Sequence, residues 1–324
     1  MKISALSYAL CVSMTSALLS GCGSIPVPAG APSGSEAQLI APASDAGGPL
    51  LYVAHRLSGQ SETVVSIISL SRGKELARIT GYTNISGVCS DDSGNVWVPN
   101  MRGRRWYIDK FARGSTKVID ELTPHPRLSL GACTVDPSSG NLAVMGTNRY
   151  GANEALIWSG PPAGKPAMYS VPFCTVSAGY DDADNLFITG WACGSTFNAF
   201  FGELAKGSGK VAFIKIDQQT GPYGGVQWDG QYLAVALAVH EHSKIYRVQV
   251  SGTTGNVVGV VRPQRFYVGF FGSVSGLFVL HHGTIIGTAG KRGDGVWAWP
   301  YPAGGKRTQP IARYESITGI ALSI

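Results

Sequence analysis

Charge is scarce in this chain. Asp, Glu, Lys and Arg make up 14% of its 324 residues, against about 25% in an average domain. A disordered chain is rich in charge and poor in apolar residues. Here hydrophobic residues reach 44%, which excludes that class. Beyond the N-terminus no apolar run is long enough for an internal membrane helix. There is no Gly-x-Ser-x-Gly elbow, no P-loop and no His-Glu-x-x-His motif, so the common esterase, nucleotide and zinc-protease signatures are missing. What is plentiful is Gly (43) and Pro (18), together about a fifth of the chain, against roughly 12% in average usage. The Gly has no three-residue period, which excludes collagen. A soluble, turn-rich, all-β body is expected.

The N-terminus points to a compartment. Residues 1–21 open on Lys2 and continue through an apolar stretch, the pattern of a secretory signal. The ending Leu19-Ser20-Gly21-Cys22 resembles the lipobox of bacterial lipoproteins. That resemblance implies cleavage before Cys22 and acylation of Cys22, which would make the lipid bilayer a partner. A diacylglyceryl thioether plus an N-acyl chain exceeds what stable anchoring needs. Gly23 and Ser24 stand where the family's inner-membrane retention signal has Asp, which implies the outer membrane if the cell is Gram-negative. The alternative is an ordinary cleaved signal with a chance Cys. Residues 22–48 are rich in Pro, Gly, Ala and Ser, the composition of a flexible tether spanning about 25–30 Å.

Residues 49–324 repeat. An apolar segment, an acidic turn ending in Gly-Asn or similar, and a β-branched run recur at Gly87–Val98, Gly131–Val144 and Ser177–Ile188. Weaker copies run Gly225–Val235 and Gly276–Ile286. Asp, Gly and Asn supply the positive-φ positions that hairpin turns need. Asn95, Asn141, Asn185, Gln231 and Thr284 mark the period, with spacings of 46, 44, 46 and 53 residues. Two further strand-like runs lie between anchors, such as Arg105–Ala112 with Lys117–Leu122, Val211–Ile216 as the fourth of its set, and Thr308–Arg313 as the last. Four strands per ~45 residues is the pattern of a β-propeller blade. Pro49–Ala54 lacks an inner strand before it, and Ile317–Leu322 is an inner strand with nothing after it. The C-terminal strand is therefore expected to complete the first blade, closing an all-β ring of six blades. An open solenoid or a β-sandwich is the alternative. The Asp-x-x-Gly-Asn turns resemble those of the NHL, SMP-30/gluconolactonase and YVTN-like propellers. The resemblance implies the fold and does not select a function.

Cys11 leaves with the signal, so four cysteines remain besides Cys22. A turn pairing Asp182 with Asn185 sets Cys174 opposite Cys193, within disulfide reach for antiparallel neighbours. That bond is expected. Cys89 and Cys133 hold equivalent places on neighbouring inner strands, whose side chains point the same way round the ring. They read as buried small hydrophobes, with a bond between them the second reading.

In such a ring, the loops joining second to third strands share a face with the channel mouth. On that face fall Arg56, Arg102, Arg104, Arg105, Trp106, Arg149, Tyr150, Trp191, His240, His242 and Arg292. Arg pairs with carboxylate or phosphate bidentately, and aromatic rings stack on sugars. Binding of an anionic or saccharide ligand, or of a protein partner, is expected there. His240-Glu241-His242 has two His sharing a face but no third ligand fixed by sequence, so no metal or other cofactor is expected. The alternative function is a metal-dependent lactonase, hydrolase or lyase at the channel mouth, as the gluconolactonase resemblance implies. That family's Glu, Asn and Asp set has no match at the inner strands, which carry Gly, Ala, Cys and Val. The net charge of +6 is spread along the chain, and nucleic acid is not an expected partner. The opposite face carries acidic first-hairpin turns and basic outer turns, Arg72, Lys74, Lys117, Lys210, Lys306 and Arg307 among them.

Overall fold

The computed structural model describes residues 47–324 except 60, 125–126, 161–163, 195–197, 219–220, 222, 238–242, 268–277, 290–294 and 309. Cys22, His240, His242 and Arg292 lie outside the described residues. The described elements are β-strands grouped in six small sheets, one per repeat. No helix among the described residues is long and apolar enough to cross a membrane. The sheets form a six-bladed β-propeller, mostly with four strands per blade.

The first blade shows how the ring closes. Its strands are Ile317–Ser323, Leu50–Arg56, Thr63–Ser69 and Lys74–Tyr82, in that order from the axis outward. Leu50 pairs with Ser323 and Val53 with Ile320, so the last strand is the innermost strand of the first blade. Burial follows position in the blade. Thr63–Ser69 is buried along its whole length, while Lys74–Tyr82 is largely open. Blades packed on both faces leave the second strands almost no solvent side, so Leu50–Arg56, Leu142–Asn148 and Leu186–Trp191 are buried over most of their length. The scarcity of charge has the same origin.

Each acidic turn is held by its own Asp. The Asp91 carboxylate accepts from the Asn95 backbone N–H at 2.9 Å and from the Asn95 amide. Asp181 does the same with Asn185. Asp136 accepts from Ser138 N–H, and Asp229 from Gln231 and Tyr232 N–H. Gly94 and Gly140 follow at φ 77° and 71°, a left-handed geometry that suits Gly. The repeat motif is thus a local fold signal, since its carboxylates serve the backbone.

Three local departures from the expected strands have physical causes. The inner strand of blade two is broken into Asn84–Ile85 and Cys89–Ser90. Pro99 stands in the strand beside it and has no N–H to give. The run Val211–Ile216 splits: Ala212–Phe213 stays in blade four, and Lys215–Ile216 pairs in parallel with Thr254–Gly255 of blade five. The last run, Thr308–Arg313, forms no regular strand among its described residues: Ala312 bridges Val296, and the Thr308 and Ile311 N–H groups donate to Ala298 and Val296 carbonyls. Pro310 lies inside it and removes a donor the ladder would need.

Candidate ligand face and central channel

The Arg/aromatic face is built from the loops between second and third strands. In blade two, Val96–Arg102 and Arg105–Phe111 meet in a tight hairpin, with Arg102 opposite Arg105. Arg102 is engaged internally. Its guanidinium lies 3.1 Å from Asp109 Oδ1 and 2.6 Å from Glu121 Oε2, over the Tyr107 ring at 4.0 Å. Tyr82 O–H donates to Asp109 Oδ2 at 2.7 Å. Asp109 is fully buried, and that burial pushes its carboxyl above the usual range despite the Tyr82 bond and Arg102. This cluster is a seam between blades one and two. It withdraws Arg102 from the expected ligand set.

Arg56, Arg104 and Arg105 are exposed, and none forms an ion pair among the described residues. Trp106 is half-buried against the apolar cluster of Leu128, Leu130 and Trp158 at the seam with blade three. In blade three the Arg149 guanidinium lies over the Tyr150 ring at 4.5 Å, and Tyr150 is 77% exposed. Trp191 of blade four is half-buried and opposes Cys174. The structure therefore brings Arg149 to Tyr150 and sets Trp191 beside a disulfide, while Arg104 and Arg105 stand open at a hairpin tip.

Both disulfides are present among the described cysteines. Cys174 and Cys193 are joined, with Cα atoms 5.1 Å apart, and the Asn153 amide points at both sulfurs. The register that suggested the bond is shifted. Tyr180 pairs with Leu186, and a bulge between Thr175 and Ser177 brings Cys174 opposite Trp191 instead of Cys193. Cys89 and Cys133 are also joined, with Cα atoms 5.7 Å apart, so they are not free buried thiols. Cys89 pairs with Trp97 and Cys133 with Val144, so both stay within their strand ladders. The two inner strands come close enough at this end of the channel for equivalent positions to be bridged.

The central channel holds a cavity of about 350 Å³. It is lined by the C-terminal halves of the inner strands, with Ser90, Thr134, Ser177, Gln227, Leu280 and Leu322 on its wall. Those halves adjoin the first-hairpin turns. The cavity lies toward the acidic-turn end, away from the Arg-bearing loops. Much of its polar wall binds neighbouring blades together. Gln227 donates to Phe278 C=O at 3.0 Å and accepts from Leu280 N–H at 2.9 Å, imitating a strand pairing. Ser90 O–H donates to Leu322 C=O at 2.6 Å. Off the cavity wall, in the second strand of blade four, Thr189 O–H likewise donates across a seam to Gly224 C=O at 2.6 Å. These bonds join positions far apart in sequence, and no local motif announces them. No group of three or more His, Cys, Asp or Glu able to hold a metal occurs among the described residues.

No protein-family profile matches the sequence, and no curated protein matches it. Solved structures do. A protein of unknown function from Bacteroides caccae superposes with a TM-score of 0.59 at 12% identity, over 86% of this chain and 99% of that one. A chain of the nidogen/laminin complex gives the same TM-score, identity and coverage. A functionally unknown protein from Desulfotomaculum acetoxidans DSM 771 gives 0.57 at 13% identity, again over 86% and 99%. These likenesses carry the fold alone. They span the whole propeller and leave its function to the side chains.

Proposed function

We propose that the protein is an extracytoplasmic binding propeller, anchored through acylated Cys22, whose Arg/aromatic face takes an acidic saccharide. The carrying observation is that Arg104 stands exposed without a carboxylate partner among the described residues while Arg149 lies on the open ring of Tyr150. A guanidinium fork matches a carboxylate or sulfate, and an exposed ring offers a stacking surface beside it. Two disulfides fit an oxidising compartment outside the cytoplasm. Anchoring rests on the Leu19-Ser20-Gly21-Cys22 signature.

The test is capture of the full chain on an array of carboxylated, sulfated and neutral glycans. Acidic glycans should be captured and neutral ones not. The double variant Arg104→Ala, Arg149→Ala should lower capture about tenfold or more, since each charged hydrogen bond is worth that much. Equal capture of neutral and acidic glycans, or capture unchanged in the variant, overturns the reading. So does capture of acidic proteins alone.

A further inference from the structure

We infer that the opposite face of the ring, the one carrying the turns between third and fourth strands, docks on an anionic lipid surface. This rests on the anchored reading above and adds an orientation to it. The chain enters the ring at this face. Leu50 begins the second strand of blade one, opposite Ser323. Gly48 C=O accepts from Arg113, which sits in the outer turn of blade two. Pro49 C=O accepts from Leu70 N–H at 3.1 Å, in the outer turn of blade one. The chain that follows Cys22 therefore joins the ring on the outer-turn side.

The rim of that face has the chemistry of a lipid interface. Lys74, Lys117, Lys165, Lys210 and Lys306 stand exposed on the outer turns of five different blades. None of them forms an ion pair among the described residues. Beside three of them, the outer strand opens with an exposed apolar side chain. Val118 adjoins Lys117, Met168 follows Lys165 and Phe213 follows Lys210, with exposures of 39%, 51% and 46%. Cations next to shallow apolar side chains suit the boundary between headgroups and acyl chains. The acidic turns nearer the axis do not cancel this rim. Asp91, Asp184 and Asp229 are paired with Lys110, Lys206 and Arg247. Asp136 is buried and accepts from Ser138. Asp92 and Asp182 are the exposed carboxylates among these turns. With this face against the lipid, Arg104, Arg149 and Tyr150 point away from the membrane, open to a soluble ligand.

The test uses the full chain with phosphatidylcholine vesicles, with and without phosphatidylglycerol. Amide hydrogen exchange should slow in peptides covering 114–118, 164–168 and 206–213 only when phosphatidylglycerol is present. The protection should vanish at high salt. The loop 102–105 should exchange unchanged. A cation near an anionic surface strengthens partitioning about fivefold, so Lys117→Glu, Lys165→Glu, Lys210→Glu together should weaken it at least about tenfold. Their urea midpoint should stay that of the wild type, showing an intact fold. Absence of phosphatidylglycerol-dependent protection at the rim overturns docking, as does protection at 102–105 instead. The intact mass of the mature chain separates the two readings. An acylated chain without rim protection sinks docking alone. An unacylated chain with rim protection sinks the anchor alone.

Discussion

Cys89 and Cys133 occupy the same place in successive repeats, 44 residues apart, and are bonded to each other across the seam between blades two and three. The bond lies in the wall of the channel cavity. Closing a loop of that length should stabilise the fold by about 4 kcal/mol in the loop-entropy account. Cys89→Ser and Cys133→Ser are each expected to lose about 3–4 kcal/mol in urea unfolding. The double variant should lose no more than either single one, because all three remove the same bond. Additive losses would show two independent buried thiols. A non-reducing peptide map should link the two residues directly.

What was readable in the sequence was what the chain does locally. Asp91, Asp136, Asp181 and Asp229 cap turns within a few residues of themselves, so their repeat, and with it the blade number, is visible in the primary structure. The closing strand was readable because both ends of the array were incomplete. The candidate face was readable only as a set of loops. Arg102 belongs to that set by position, yet it is drawn into the seam by Asp109 and Glu121. Glu121 is on the outer strand, and no sequence period links the two residues. Gln227, Ser90 and Thr189 find carbonyls 51, 232 and 35 residues away. The register that sets Cys174 opposite Cys193 is displaced by one residue at the turn and by one more at the bulge before Ser177, yet the bond forms.

The two arginines of the blade-two hairpin should separate stability from binding. Arg102→Ala leaves the buried Asp109 carboxylate without its cation. Arg102 is itself partly exposed, so the cost is expected near 2 kcal/mol, short of that for a fully buried pair. Arg104 is exposed and has no ion-pair partner among the described residues, so Arg104→Ala should stay within about 0.5 kcal/mol. Thermal unfolding checks both. Capture of acidic glycans should fall with Arg104→Ala, whereas equal melting losses in the two variants would contradict this division of labour.

Two glycines of the inner strands should respond unequally to Ala. A Cβ on Gly179 would lie 2.5 Å from Val226 C=O, backbone of the neighbouring blade. Neither strand can yield without opening the seam, so Gly179→Ala should cost about 1–3 kcal/mol. On Gly131 the nearest atom is Met145 C=O at 3.4 Å. Gly131→Ala should change stability by less than about 1 kcal/mol. A matched pair of urea titrations decides it, and equal costs would mean that inner-strand spacing does not set the need for Gly179.

His55 gives the closing blade a dependence on pH. It is 3% exposed, with Nε2 3.0 Å from Ser66 Oγ and its ring stacked on Tyr314 at 4.0 Å. Tyr314 precedes the closing strand and donates to Glu75, which holds Arg78. Burial lowers the imidazole below its ordinary value of 6.5, and Arg78 adds to that, while the Arg56 carbonyl and Glu75 oppose it. The folded chain therefore binds fewer protons than the unfolded chain just below pH 6.5. Stability from this group is fully present above that pH and falls as the pH drops through the folded value. His281 is lowered as well, by burial and by His282, and adds a slope of the same sign. Asp109, raised by burial, works in the opposite direction, but its window begins at the carboxylate range. Urea midpoints at about pH 7.5 and 5.5 should differ clearly in the wild type. The difference should shrink in His55→Gln and shrink further when His281→Gln is added. A slope unchanged in His55→Gln would remove this histidine from the account and leave ring closure indifferent to mild acid.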